Sequence, residues 1–241
     1  MKNIQYLLLQ ARKEQDPMIE NEKKCFLRTL GCEKKNIKTK DIIRDTISEE
    51  DFKRADAVII GGSGDFSIVK GGEWINKALD IMNYLYENSK VTFASCWGFQ
   101  AMAKARGGEV VKDLQRAELG TIKIWLTTNG MKDEVFKILP KIFLTQMGHE
   151  DIVERLPNDA VLLASSEKVK NEAFRFDKKP IYCTQFHPEL NKNDLKERME
   201  TYPAYIEKIL GISKKEFINT RCFDSKDTEK LLLNFINTYF D

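Results

Sequence analysis

Three short stretches carry residues able to do covalent chemistry, and a cysteine leads them. In KVTFASCWGFQAMAKA (90–105) a β-branched and aromatic run, Val91 to Phe93, gives way to Ala94, Ser95 and Cys96. A helix-forming run then continues to Ala105. A strand, a sharp turn and a helix lift the turn residue above the carboxyl edge of a sheet. Such a turn leaves little room, and Ala94 and Gly98 supply small neighbours on either side of Cys96. The helix that starts after Cys96 aims free N–H groups and a positive dipole end at the sulfur, which favours the nucleophilic thiolate. A cysteine at a strand end, taken alone, is more often a small core residue, so the catalytic reading needs partners.

CTQFHPEL (183–190) supplies them. His187 and Glu189 follow the strand-like IYCTQF, and residues i and i+2 of an extended segment point the same way. Pro188 between them discourages helix. A glutamate beside an imidazole holds its tautomer and supports its positive charge, completing a nucleophile–base–orienter set. The third stretch, GGSGDFS (61–67), also follows a strand-like run. It lacks the spacing of a phosphate-binding loop or a dinucleotide fingerprint. Its glycines instead let backbone N–H groups approach a substrate, so that one of them acts as an oxyanion donor beside the N–H of Trp97.

The elements that must position these residues alternate. IQYLLLQ (4–10) reads as a buried strand and PMIENEKKCFLRTLG (17–31) as a helix stopped by Gly31. IKTKDII (37–43) and DAVIIGG (56–62) are strands, 73–89 is a helix, and the cysteine segment is a fourth strand with its helix. That order predicts a mostly parallel sheet with helices on both faces. After Gly107 and Gly108 the pattern becomes antiparallel. ELGTIKIWLTT and KIFLTQMG read as strands joined by a short helical segment, and AVLLASS, EAFRFD and IYCTQF follow. From Asn191 the chain is helical and charged, over 192–210, 213–219 and 226–239.

A chain of 241 residues buries about 70% of its unfolded surface, enough for one sizeable core. One domain is expected over 1–241, with a core of 1–190 and a helical extension of 191–241. The 39 basic and 37 acidic residues are mixed along the chain, which argues against a nucleic-acid footprint. Lys34, Lys35, Lys38 and Lys40 read as a solvated loop. No run approaches the length of a membrane span, and the N-terminus lacks a signal-peptide pattern. Five cysteines without a C-x-x-C pair point to free thiols in a reducing cytoplasm. His149 and His187 stand far apart in sequence, so no metal site is expected.

Together the three stretches resemble the class I glutamine amidotransferases of the Cys-His-Glu type. ASCWGFQ matches the family's G-x-C-x-G-x-Q elbow, HPE its H-P-E segment and GGSGD its G-G-x-x-[SG] oxyanion loop. QMGHED (146–151) is similar to the S-H-G-D segment of GMP synthetase amidotransferase domains. Ala94 departs from the elbow's first glycine but is still small. The resemblance implies a flavodoxin-like three-layer α/β/α fold and no cofactor. It implies that Cys96 attacks the γ-carboxamide carbon of glutamine, that His187 moves the proton and that Glu189 orients His187. The N–H groups of Gly62 and Trp97 would stabilise the oxyanion, each such donor being worth about 3 kcal/mol. Gln100 and the loop Gly148, His149, Glu150 and Asp151 would hold the substrate's α-amino and α-carboxylate groups. His149 is then a pocket or structural residue.

Family members feed ammonia to a synthase domain or to a separate synthase chain. Only about fifty residues follow Glu189, in helices, so any ammonia acceptor here is expected to be a separate synthase subunit. The alternative is a stand-alone γ-glutamyl peptide hydrolase, coupled to no synthase. A non-catalytic regulatory protein retaining the fold is disfavoured by the intact Cys96, His187 and Glu189. A peptidase or chaperone-like relative would carry histidine directly after the cysteine, where Trp97 stands. A glutamine-like chloroketone should therefore label Cys96 ahead of the other four thiols, read by mass spectrometry of the modified peptide; label mainly on another cysteine would refute the elbow.

Overall fold

The computed structural model describes residues 4–240; the outermost residues of the expected 1–241 unit lie outside that range. The first half runs β1 (Tyr6–Gln10), α1 (Met18–Leu30), β2 (Ile37–Asp41), α2 (Glu49–Arg54), β3 (Ala57–Ile60), α3 (Glu73–Glu87), β4 (Thr92–Ser95) and α4 (Trp97–Ala105). The second half holds β5 (Glu109–Lys112), β6 (Glu118–Leu126), α5 (Thr128–Lys132), β7 (Ile142–His149), β8 (Asp151–Arg155), β9 (Ala160–Ser165), β10 (Ala173–Phe176) and β11 (Ile181–Thr184). It closes with α6 (Lys192–Thr201), α7 (Pro203–Leu210), α8 (Lys214–Arg221) and α9 (Leu231–Phe240).

The large sheet has nine strands in the order β2-β1-β3-β4-β11-β10-β9-β6-β7. From β2 to β11 every pairing is parallel. From β11 outward to β7 every pairing is antiparallel. β3, β4 and β11 are thus adjacent and parallel, so their carboxyl ends share one edge. Crevices outside that edge are where open α/β sheets bind ligands.

Strand periodicity divides the core into two layers. Leu7 and Leu9 of β1 face α3 and α4 through Ala78, Met82, Phe99 and Met102. Tyr6 and Leu8 point the other way, onto Phe26 of α1 and Leu232, Phe235 and Ile236 of α9. β3 repeats the alternation, with Val58 and Ile60 on one side and Ala57 and Ile59 on the other. Helices α6 to α8 build a third cluster, in which Leu195, Met199, Ile206, Phe217 and Cys222 gather with Leu119. That cluster stands beside the edge where the cysteine lies.

The sequence reading of one helix over 192–210 is corrected. The chain breaks at Tyr202 (φ −120°, ψ 58°) because Pro203 disfavours helical geometry in the residue before it and opens α7 instead. Helix α2 has no counterpart in the sequence pattern. It is only six residues long and is held by a capping box between Ser48 and Asp51. β5 and β8 are likewise unmarked by the pattern, and they pair only with each other. Residues 148–151, expected as a loop, are the end of β7 turning into β8. Among the described residues no helix is long and apolar enough to cross a membrane.

Phe235 is fully buried and meets Phe93, Tyr182 and Tyr239 edge to face. Phe235→Ala should destabilise the protein by about 3–5 kcal/mol, measured by urea unfolding at unchanged slope.

Candidate active site

Cys96 occupies the turn between β4 and α4 with φ 51° and ψ −103°, a conformation that L-residues rarely adopt. Two neighbours hold it there. Its N–H donates to Thr184 O of β11 at 2.7 Å, and Gly98 N donates to Gly61 O at 3.3 Å. Gly98 is required by space: a Cβ there would stand 2.7 Å from Ile60 Cγ2 and 3.0 Å from Ile60 O. Ala94 needs no such accommodation; it lies in β4, paired with Cys183 and Ile60. Trp97 begins α4, so its N–H faces the turn without a helical partner.

His187 follows β11 and is anchored by its own N–H, which donates to Gln146 O at 2.9 Å. Its Nδ1 lies 2.6 Å from Glu189 Oε1, and both side chains are buried. Burial alone would push the imidazole toward the neutral form. The Glu189 carboxylate, and after it the Cys96 sulfur, outweigh burial and raise its pKa to about 9. The protonated ring is thereby favoured over the neutral one. Burial pushes Cys25 and Cys183 far up, and it pushes Cys32 and Cys222 up to about 11.

The glycine loop sits directly against this pair. A Cβ on Gly62 would fall 2.8 Å from His187 Cε1 and 3.5 Å from Cys96 Cβ. The Gly62 N–H does not have the direction expected from the sequence. It donates to Glu22 Oε1 at 3.0 Å, beneath the loop. In this structure it is thus committed to a carboxylate. Glu22 is not identified by the sequence pattern. It is fully buried and also accepts from Gln10 Nε2 at 2.7 Å and from Arg12 Nη2 at 3.0 Å. Burial opposes its charge, but Arg12 and Arg198 hold it ionised. An E-N-E-K-K run on an otherwise exposed-looking helix gives no sign of a buried charge.

Two cavities meet at Cys96 and His187. The first, of about 240 Å³, is polar and is lined by Cys96, Trp97, Gln100 and Gly148 to Asp151. Gln100 Nε2 donates to Asp151 O at 2.9 Å and to Gln185 Oε1 at 3.1 Å. Burial raises the Asp151 carboxyl against a 2.6 Å bond from Ser67. Burial would also raise Glu150, but Lys112 and Lys208 keep it low. The sequence-predicted pocket residues are therefore brought together. The second cavity, of about 330 Å³, opens beside His187 and is lined by Met147, Leu190, Leu195, Met199, Tyr202 and Tyr205, among others. Helices α6 and α7 form its far wall.

His149 lines the polar cavity but turns its Nε2 to Glu118 Oε2 at 3.3 Å. Glu118, His149 and Glu172 are buried, each with a ligand atom within 4.8 Å of the others. The donor set suits a divalent cation, and equally a shared proton. Burial first, then the neighbouring Glu118, raises Glu172 well above the ordinary carboxyl range. Sequence distance conceals this cluster, because its three members arrive from β6, β7 and the approach to β10.

The chain belongs to the class-I glutamine amidotransferase family, whose model, described as "Glutamine amidotransferase class-I", matches residues 19–201. Within that family it is similar to proteins of two kinds. It is 32% identical over 181 residues to the glutamine-hydrolyzing GMP synthase subunit of Archaeoglobus fulgidus, a match covering 75% of this chain and 87% of the relative. It is 27% identical over 192 residues to "Gamma-glutamyl peptidase 4" of Arabidopsis thaliana, covering 78% of this chain and 76% of the relative. A glutamine amidotransferase structure from Thermotoga maritima shares the fold with a TM-score of 0.77 at 19% identity, over 97% of both chains.

Glu189→Gln removes the negative charge that favours the imidazolium. The alkaline limb of the pH–rate profile should therefore move to lower pH from near 9, with turnover reduced but not abolished. An unmoved limb would disconnect Glu189 from His187.

Proposed function

We propose that this protein hydrolyses γ-glutamyl amides through a covalent thioester on Cys96. The observation that carries the reading is geometric. Cys96 on its strained turn, the Gly61–Gly62 loop and the His187–Glu189 pair stand at the adjacent carboxyl ends of β4, β3 and β11. The Cys96 thiolate, formed as His187 takes the thiol proton, attacks the γ-carbonyl carbon. The carbonyl π pair moves onto oxygen, where Trp97 N–H and a second N–H of the 61–64 turn stabilise it. As the C–N bond breaks, the imidazolium gives its proton to the departing amine. A water, deprotonated by His187, then attacks the thioester, and glutamate leaves with Cys96 restored.

The polar cavity takes the glutamyl end. The Gly148–Asp151 segment and Gln100 meet the α-amino and α-carboxylate groups, with Asp151 and Glu150 opposite the ammonium. The cavity beside His187 takes the leaving amine. Its size and apolar walls favour a substituted amine over ammonia, in line with the similarity to the γ-glutamyl peptidase. The second reading is ammonia supply to a separate synthase subunit, in line with the similarity to the glutamine-hydrolyzing chain of GMP synthase. The wall formed by α6 and α7 weighs against it, since this chain's own helices cover the side from which ammonia leaves.

A substrate panel read by glutamate release decides between them. γ-Glutamyl amides of bulky apolar amines should exceed glutamine in kcat/KM. Glutaramate, lacking the α-amino group, should fall at least about 100-fold below glutamine, because buried polar partners are left unpaired. Preference for glutamine together with a stable synthase complex would favour ammonia supply. Equal turnover of glutaramate and glutamine would indicate a general amidase.

A further inference from the structure

Two fully buried carboxylates flank the nucleophile from below, and they belong to different machinery. Glu22 of α1 holds the Gly62 N–H of the glycine loop, and Glu189 holds the imidazole of His187. Neither is exposed to solvent that would screen it. Between them lies Arg198 of α6, itself 7% exposed. Its Nη2 stands 3.7 Å from Glu22 Oε1 and 3.7 Å from Glu189 Oε1. Those separations are too long for hydrogen bonds, and among the described residues neither Nε nor Nη2 donates one. The guanidinium therefore acts by charge.

We propose that Arg198 is a positioning residue that ties the glycine loop to the catalytic carboxylate, so that helix α6 completes the active site. The connections close into a ring: Cys96, His187, Glu189, Arg198, Glu22 and Gly62, with Gly62 returning against Cys96 and His187. Without the cation, Glu22 and Glu189 repel across the base of the cavity, and the two walls around the reacting carbonyl separate. Arg12 does not substitute for it, because its guanidinium is engaged by Glu22 and Asp16. Arg28 reaches only the Glu189 backbone oxygen and Asp194.

The inference rests on the reading of Cys96, His187 and Glu189 as the catalytic set, so the test requires a wild-type enzyme that releases glutamate and loses that activity in Cys96→Ala. Arg198→Met, Arg198→Lys and Glu22→Gln are compared by kcat, KM and the pH dependence of kcat/KM on one γ-glutamyl amide. The charged groups around His187 are Cys96, Glu189, Arg198, Glu22 and Arg12. Arg198→Met should lower kcat at least about tenfold with KM changed less than about threefold. Losing a cation leaves the imidazolium in a more negative field, so the alkaline limb should move up by about half a pH unit or more. Glu22→Gln keeps an acceptor for Gly62 but removes a negative charge, so its limb should move down. Arg198→Lys should recover most of the lost kcat and return the limb toward wild type. Should Arg198→Met fail to fold, the Lys and Gln variants still decide by the positions of their limbs. Unmoved limbs in the folded variants, or a lysine no better than methionine, would overturn the proposal while leaving the catalytic set standing.

Discussion

A backbone conformation that costs energy sits at the centre of this protein. Cys96 has a positive φ, and strain of that kind, of order 1–3 kcal/mol, persists only where the surroundings over-determine it. Here the surroundings are the two strands beside β4. β11 accepts the Cys96 N–H, β3 supplies the Ile60 wall that admits no side chain at Gly98, and Gly61 just past β3 supplies the carbonyl for Gly98. Because β3, β4 and β11 are parallel and adjacent, the contacts that hold the turn also deliver the glycine loop and His187 to it. The switch from parallel to antiparallel pairing falls one strand later, at β10, so the reacting groups stay within the parallel part of the sheet.

Charge close to the nucleophile is kept away from solvent. Glu22, Glu189 and Arg198 are all withdrawn from water, and each depends on the others, on Arg12 or on His187 for compensation. Removing one partner from such a set leaves an uncompensated buried charge, which costs more than the interaction contributes. The polar cavity shows the other regime. Its Glu150 is met by Lys112 and Lys208, which are partly exposed and screened. Rigid buried charge thus surrounds Cys96 and His187, and adaptable surface charge borders the polar cavity.

Much of this is legible in the sequence because it is local. The elbow, the H-P-E segment and the glycine pair each lie within a few residues, and strand and helix periodicity places them on the right elements. Gly31 stops α1 in a left-handed turn as its position suggests. What the sequence hides is non-local. Glu22 lies in a charged run of the amphipathic α1 and Arg198 on the highly charged α6, and only the tertiary fold brings them under the site. β5 and β8 stabilise each other across some forty residues and carry too few apolar positions to declare themselves. The direction of the Gly62 N–H is set by Glu22, a partner that no spacing within the loop reveals.

The Glu118–His149–Glu172 cluster reaches beyond the active site. In the folded protein burial, and after it Glu118, pushes the Glu172 carboxyl well above its ordinary range. Assembly of the antiparallel half of the sheet therefore favours the protonated form of this carboxyl. A carboxyl group whose folded pKa is raised contributes stability that is fully present below its unfolded value and is lost as pH rises toward the folded one. The strand ends beside the polar cavity thus carry an alkaline liability of their own, separate from the Cys96–His187 site.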